Sequence, residues 1–165
     1  MKWSELINDK IFSDYDSLRD EVLRWKSFSD KVVFTNGCFD LLHLGHIDYL
    51  GKAADQGDRL IVGVNTDTSV SKLKGPSRPI IQEDTRAVKI AALAFVDAVV
   101  LFDEETPLKL ITTVMPDVLT KGGDYTFDTI VGAPEVVENG GRVEVIPFLD
   151  GHSSTSIIQK IKKED

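Results

Sequence analysis

His43 and His46 stand three residues apart in the stretch Asn36 to His46 (NGCFDLLHLGH), which directly follows the apolar run Lys31–Thr35 (KVVFT). In the first turn of a helix, side chains at that spacing share a face. A helix start already offers free N–H groups and partial positive charge, which suits phosphate. Imidazoles there add hydrogen-bond donors without burying a permanent charge. Gly45 lies between them and keeps side-chain bulk away from a ligand, and Gly37 allows a tight turn out of the preceding strand. The chemistry such a pair serves is stabilisation of charge on phosphate oxygens. An isolated histidine reads more simply as a core or surface residue, but two of the chain's three histidines fall at this one junction. A zinc site would need further ligands, which His-x-x-His alone does not supply.

Other groups suited to phosphate lie downstream. Lys72 and Lys74 open Lys72–Gln82 (KLKGPSRPIIQ), whose two prolines and glycine read as a surface loop. Lysines on a loop are usually just solvated, yet at a strand's carboxyl end these could close over a triphosphate. Lys121–Asp124 (KGGD) lacks the G-x-x-x-x-G-K-[ST] spacing of a P-loop. Its glycines allow close backbone approach to a base or ribose, or form a plain turn. Ser153, Ser154, Thr155 and Ser156 begin the last helical stretch, four hydroxyls where a single N-cap would suffice. Asp40 serves either to orient an acceptor or a metal-bound water, or to cap the next helix. Cys38 reads as a small buried hydrophobe.

These groups need a frame. The chain's 165 residues suit a single domain with its own core, and its composition, 42% hydrophobic and 28% charged, is globular. The net charge of −8 argues against a nucleic-acid partner or an anionic membrane surface. It leaves a small phosphate-bearing ligand open, because a few local donors can hold one on an acidic protein. No apolar run approaches the roughly 20 residues needed to cross a bilayer. Met1 to Lys10 lacks the pattern of a secretory signal, and the single cysteine cannot form an internal disulfide. A cytoplasmic location is the expectation.

Five short apolar runs suit strands: Lys31–Thr35, Arg59–Asn65, Asp97–Phe102, Asp117–Lys121 and Arg142–Phe148. Helical spacing marks Ser17–Lys26, where Leu18, Val22 and Trp25 share a face, and then Gly45–Gln56, Glu83–Ala94, Thr106–Val114, Pro134–Glu138 and Ser154–Lys163. Near-continuous apolar strands alternating with helices predict a Rossmann-like, doubly wound α/β domain with a five-stranded parallel sheet. Residues 1–30 are expected to form an N-terminal helical segment and 31–165 the catalytic core of that single domain. Ligands in such sheets bind beyond the carboxyl ends of the strands, where every group singled out above lies.

Thr35–Leu50 (TNGCFDLLHLGHIDYL) strongly resembles the HxGH signature of the cytidylyltransferase-like nucleotidyltransferases. The likeness extends from Lys31 to Ile161 through LKGPSRP, KGGDY, VENGG and DGHSSTSII. It is nearest to the adenylyltransferase domain of the bacterial heptose-phosphate enzymes, which make nucleotide-activated heptose for surface polysaccharide. The resemblance implies transfer of AMP from ATP, with Mg²⁺, to D-glycero-D-manno-heptose 1-phosphate, releasing pyrophosphate, and it implies a homodimer. It assigns His43, His46, Lys72 and Lys74 to catalysis. Nucleotide binding falls to Thr35, Asn36, Gly37, Phe39, Gly45, Arg86, Lys121, Gly123, Asp124, Ser153, Ser154 and Thr155, and the acceptor to Asp40. No resident protein-bound metal is implied. A matching sugar kinase has no room in 165 residues, so the substrate is expected from a separate kinase. The segment before the last helix resembles the family's RTxGxSTT motif but carries Phe148 where the arginine would stand, which points away from a glycerol-phosphate cytidylyltransferase. A CTP-dependent enzyme for an alcohol phosphate and a non-catalytic nucleotide sensor are the competing readings.

Overall fold

The computed structural model describes residues 2–163. Six parallel strands form one sheet in the order β1-β4-β3-β2-β5-β6, with β1 Ile11–Phe12, β2 Val32–Gly37, β3 Arg59–Asn65, β4 Ala98–Phe102, β5 Val118–Gly122 and β6 Arg142–Ile146. The helices are α1 Trp3–Asn8, α2 Tyr15–Ser27, α3 Leu44–Ala54, α4 Asp67–Lys74, α5 Glu83–Ala91, α6 Leu108–Val114, α7 Ala133–Glu138 and α8 Ser154–Lys162, with a 3₁₀ turn at Phe127–Thr129.

Alternate residues of the central strands feed opposite faces, as the pleat requires. Phe34, Ile61, Val100 and Leu119 join Leu18, Val22 and Trp25 of α2 and Leu110, Ile111 and Val114 of α6 in one core. Val33, Val62, Val99 and Val118 join Leu50 and Ala53 of α3 and Ala87, Ile90 and Ala91 of α5 in the other. Both faces are covered, which explains why these strands are apolar at nearly every position.

The sheet has six strands rather than the expected five. The sixth is β1, which pairs Ile11 and Phe12 with Val99 and Val100 at the edge. Two residues are too short for any periodicity to show, and β1 interrupts the helical segment expected over 1–30. The second departure is α4. Lys72 and Lys74 belong to its last turn, where a surface loop was expected. Thr66 caps this helix by accepting from the Ser69 amide, and the chain leaves it at Gly75 with φ of 97°. The loop proper therefore begins at Gly75.

Leaving β1 aside, the strands read 3-2-1-4-5 in chain order, so the winding reverses between β2 and β5. A crevice opens at such a reversal beyond the carboxyl ends of the strands.

Candidate active site

Two adjoining cavities occupy the crevice. The first, about 330 Å³, is lined by Asn36 to Asp40 at the end of β2 and in the turn after it, by Lys121 and Gly122 at the end of β5, and by His46, Tyr49, Lys74, Tyr125, Phe148 and Ser154. The second, about 310 Å³, shares His46, Tyr49, Lys74, Phe148 and Ser154, and adds His43, Gly45, Leu149, His152, Ser153 and Thr155. Residues from β2, α3, α4, β5 and α8 thus converge on one place.

The histidine pair is built into the start of α3. His43 is the N-cap, its Nδ1 accepting from the Gly45 amide at 3.1 Å. His46 is three residues on, and its Nδ1 accepts from the His43 amide at 3.3 Å. This is the reciprocal arrangement of a capping box, made with imidazoles in place of hydroxyl and carboxylate. An Nδ1 that accepts carries no proton, so each neutral ring bears its hydrogen on Nε2. The rings stack with centroids 3.8 Å apart, an arrangement hostile to two charges. Burial, then the neighbouring His43 and Lys74, pushes the His46 imidazolium down to about 4. Burial and His152 lower His43 as well. Near neutrality both are uncharged hydrogen-bond donors.

Gly45 is required by this packing as well as by ligand approach. A Cβ there would meet the His43 ring at 2.9 Å and His152 Cβ at 3.2 Å.

Cations reach the first cavity from two sides. Lys74 borders both cavities. Lys121 lies over the Tyr125 ring with Nζ 5.2 Å from its centroid, and burial lowers its ammonium below the ordinary range. At the start of α8, Ser153 accepts from the Ser156 amide at 3.0 Å, while Ser154 Oγ donates to the Leu41 carbonyl at 3.3 Å. That second bond ties α8 to the turn that carries the histidines.

Several expected site residues lie elsewhere. Lys72 is two residues before Lys74, hence about 200° around the helix, and borders a separate shallow depression with Asp67, Thr68, Ser71 and Pro76. Arg86 is 0% exposed. Its guanidinium donates to the carbonyls of Ile81, Cys38 and Asn65 and to the Asp67 carboxylate. It clamps the segments around the site, and its guanidinium is engaged by them. Thr35 is also buried, its Oγ1 2.5 Å from the Tyr49 hydroxyl, which in turn lies 3.3 Å from Thr120 Oγ1. It positions Tyr49. Gly123 and Asp124 lie just outside the cavities. Gly123 has φ of 104°, and a Cβ there would strike the Phe148 ring at 2.8 Å. Asp40 borders the first cavity but both its oxygens are engaged, by Arg78 and by the Ile80 and Ile81 amides.

Sequence reasoning missed Tyr49, Gly122, Tyr125, Leu149 and His152 as lining residues, and also Cys38, expected as a buried hydrophobe but half-buried at the wall of the first cavity. Tyr49 carried a usable signal, being three residues after His46 on the same helical face. Phe148 was noted only as a missing arginine. It is 63% exposed and edge-on to Tyr49 at 6.3 Å, a wall common to both cavities.

The cytidylyltransferase-like family matches residues 34–160, the span that holds every lining residue. Among relatives, the bifunctional protein HldE of Methylobacillus flagellatus is 54% identical over 153 residues, 93% of this chain and 31% of the relative. That of Syntrophotalea carbinolica is 56% identical over 146 residues, 88% of this chain and 30% of the relative. The chain thus spans about a third of the length of these relatives. Among solved structures, a lipopolysaccharide core biosynthesis protein from Thermoplasma volcanium shares 34% identity at a TM-score of 0.60, covering 73% of this chain and 97% of that one. A pantoate-beta-alanine ligase from Francisella tularensis shares the fold at 16% identity and a TM-score of 0.56, covering 92% of this chain and 76% of that one. By the extent of the family match and by these identities, the chain belongs to the cytidylyltransferase-like family.

Proposed function

We propose that this chain is a nucleotidyltransferase that moves the adenylyl group of ATP onto D-glycero-D-manno-heptose 1-phosphate and releases pyrophosphate. The observation that carries the reading is the pair of neutral, stacked imidazoles capping α3 at the reversal between β2 and β5. The chain's likeness to HldE, and to a lipopolysaccharide core biosynthesis protein, supports a sugar phosphate as acceptor.

An oxygen of the acceptor phosphate attacks the α-phosphorus. The new O–P bond forms as the bond to the β-phosphate bridge breaks, and its electron pair leaves with pyrophosphate. The attacking phosphate is already anionic, so no general base and no covalent enzyme intermediate are needed. Positioning and charge stabilisation supply the rate. His43 and His46 donate from Nε2 to oxygens that gain charge, Lys74 adds a mobile cation, and the hydroxyls and amides of Ser153 to Thr155 hold the outer phosphates. Mg²⁺ would enter with the nucleotide and supply neutralisation of phosphate charge.

Asn36, Lys121 and Tyr125 line the first cavity, where an amide, a cation and a hydroxyl are available to the nucleotide or to the acceptor phosphate. Phe148 favours ATP over CTP as the donor, since the arginine of the family's cytidylyl pattern is replaced by an apolar ring. Pyrophosphate release measured with ATP and CTP against heptose 1-phosphate and glycerol 3-phosphate tests the whole reading. ATP with heptose 1-phosphate is expected to be fastest by a wide margin. Equal or better rates with CTP would remove the heptose assignment, and nucleotide binding without any turnover would favour a sensor.

A further inference from the structure

We propose that Asp40 and Arg78 form a latch that sets where Lys74 reaches, making both of them positioning residues for the transfer. The inference rests on the function proposed above. Asp40 stands in the turn after β2, three residues before His43, and its side chain is 0% exposed. One carboxylate oxygen takes Arg78 Nε at 2.7 Å, and the pair of oxygens takes the Ile80 amide at 3.0 Å and the Ile81 amide at 2.8 Å. Burial alone would raise this carboxyl, but the two amides and the guanidinium outweigh it and hold it below its ordinary value.

Arg78 is four residues beyond Lys74 and bonded to the same helix end. Ser71 Oγ donates to the Arg78 carbonyl at 2.6 Å, and the Arg78 amide returns to the Gly75 carbonyl at 3.2 Å. At the other end of α4, Arg86 holds Asp67 at 2.9 Å. The lysine helix is therefore tied at both ends to the segments that carry the histidines.

Stability does not account for the choice of residues. Burying an ion pair exacts a large desolvation cost, and well-packed apolar residues of similar volume generally serve stability as well or better. Here the cost is higher still, because Arg78 Nη2 is buried without a partner. What an aspartate with three fixed donors offers over an apolar contact is direction. Lys74 is exposed at a helix end, with a flexible stem and no ion-pair partner among the described residues. Its ammonium can be aimed at the crevice only by fixing the helix end from which it springs.

The test is a set of double-variant cycles on the full chain, pairing Asp40→Asn, Arg78→Gln and Ser71→Ala each with Lys74→Ala, with melting curves confirming the fold. Asp40→Asn and Arg78→Gln are expected to lower kcat about tenfold with KM for ATP moving less, the pattern of an interaction made in the transition state. Combined with Lys74→Ala, each should add less than about twofold, since residues acting through one another are not additive. Full kcat in folded Asp40→Asn and Arg78→Gln, or losses that multiply in the double variants, would overturn the latch. Ser71→Ala, the mildest change, keeps the test open if the other two unfold, and unfolding of all three would make the pair a folding element and also overturn it. Failure of the wild type to act on heptose 1-phosphate would instead remove the proposed function. The same cycles would then be read on Mg-ATP affinity by calorimetry, with the same additivity criterion, and a wild type that binds no ATP would end both readings.

Discussion

The starts of α3 and α8 face each other across the same cavity, yet they are attached to the molecule very differently. Helix α3 buries Gly45, Tyr49, Leu50 and Ala53 against the sheet, and its cap is closed by two imidazoles. Helix α8 buries no residue fully and is joined to the opposite wall at its start through Ser154 and the Leu41 carbonyl. Few buried apolar contacts mean a low local free energy of opening. One jaw of the site is set in the core, and the other rests on the surface. The histidines, proposed to stabilise charge and so needing fixed geometry, sit on the first, and the hydroxyls proposed to hold outer phosphates sit on the second.

The sharpest way to break this contrast is at the fixed jaw. His43→Asn retains an N-cap, because asparagine is among the best residues there, but loses the Nε2 donor. It should therefore stay folded while kcat falls on the order of 10²–10³, the usual cost of a lost oxyanion donor, as should His46→Asn if it folds. Melting curves with steady-state kinetics decide, and a folded variant with full kcat would refute the role of the pair.

A smaller effect separates the two lysines. Lys74→Ala should reduce turnover at least about tenfold, equivalent to about 1.4 kcal/mol of transition-state stabilisation, with stability changed by no more than about 0.5 kcal/mol at so exposed a position. Lys72→Ala should change neither. Equal kinetic losses in both would mean that the α4 end swings further than its hydrogen bonds suggest.

On the surface jaw, Ser154→Ala should raise KM for ATP about threefold with little change in kcat, the scale of one neutral hydrogen bond of ~0.5–1 kcal/mol. Hydrogen exchange should show the α8 amides opening more readily than those of α3, and ATP should slow α8 the more. A protected α8 in the free protein would erase the distinction between the jaws.

The least effect is on pH dependence of stability. His46 protonates at about 4 in the folded chain against 6.5 ordinarily. Between those values the unfolded chain holds more protons, so stability rises with pH through this window and is lost as the pH falls through it. His43, also lowered, acts in the same sense. The melting temperature should drop as pH goes from 6.5 toward 4, and His46→Asn should flatten part of that slope.

The sheet's interior and the histidine turn were legible in the sequence because each leaves a local trace. The central strands announce themselves by unbroken apolar runs, and each expected boundary falls within three residues of the observed one. The illegible parts depended on partners distant in the chain. Arg86 looks like any solvated charge until Asp67 and the carbonyls of Cys38, Asn65 and Ile81 surround it. Thr35 looked like a ligand contact, but Tyr49 claims its hydroxyl. Helix α4 was hidden by its C-terminal neighbours, since Gly75, Pro76 and Pro79 give the whole window the character of a loop. The Thr66 cap and Asp67 in the first turn were signals available at its start.

The closed cap on α3 also bears on how the product of the proposed transfer would leave. Because both Nδ1 atoms are committed to backbone amides, neither ring gains a proton easily, and the pair contributes direction without net charge. Pyrophosphate, the leaving product of that proposed transfer, is compact and highly charged, and a nest of permanent cations would retain it. In the proposed transfer, a cradle whose fixed histidines are neutral holds the charge of that product chiefly through the flexible stem of Lys74, since the end of α4 itself is tied down.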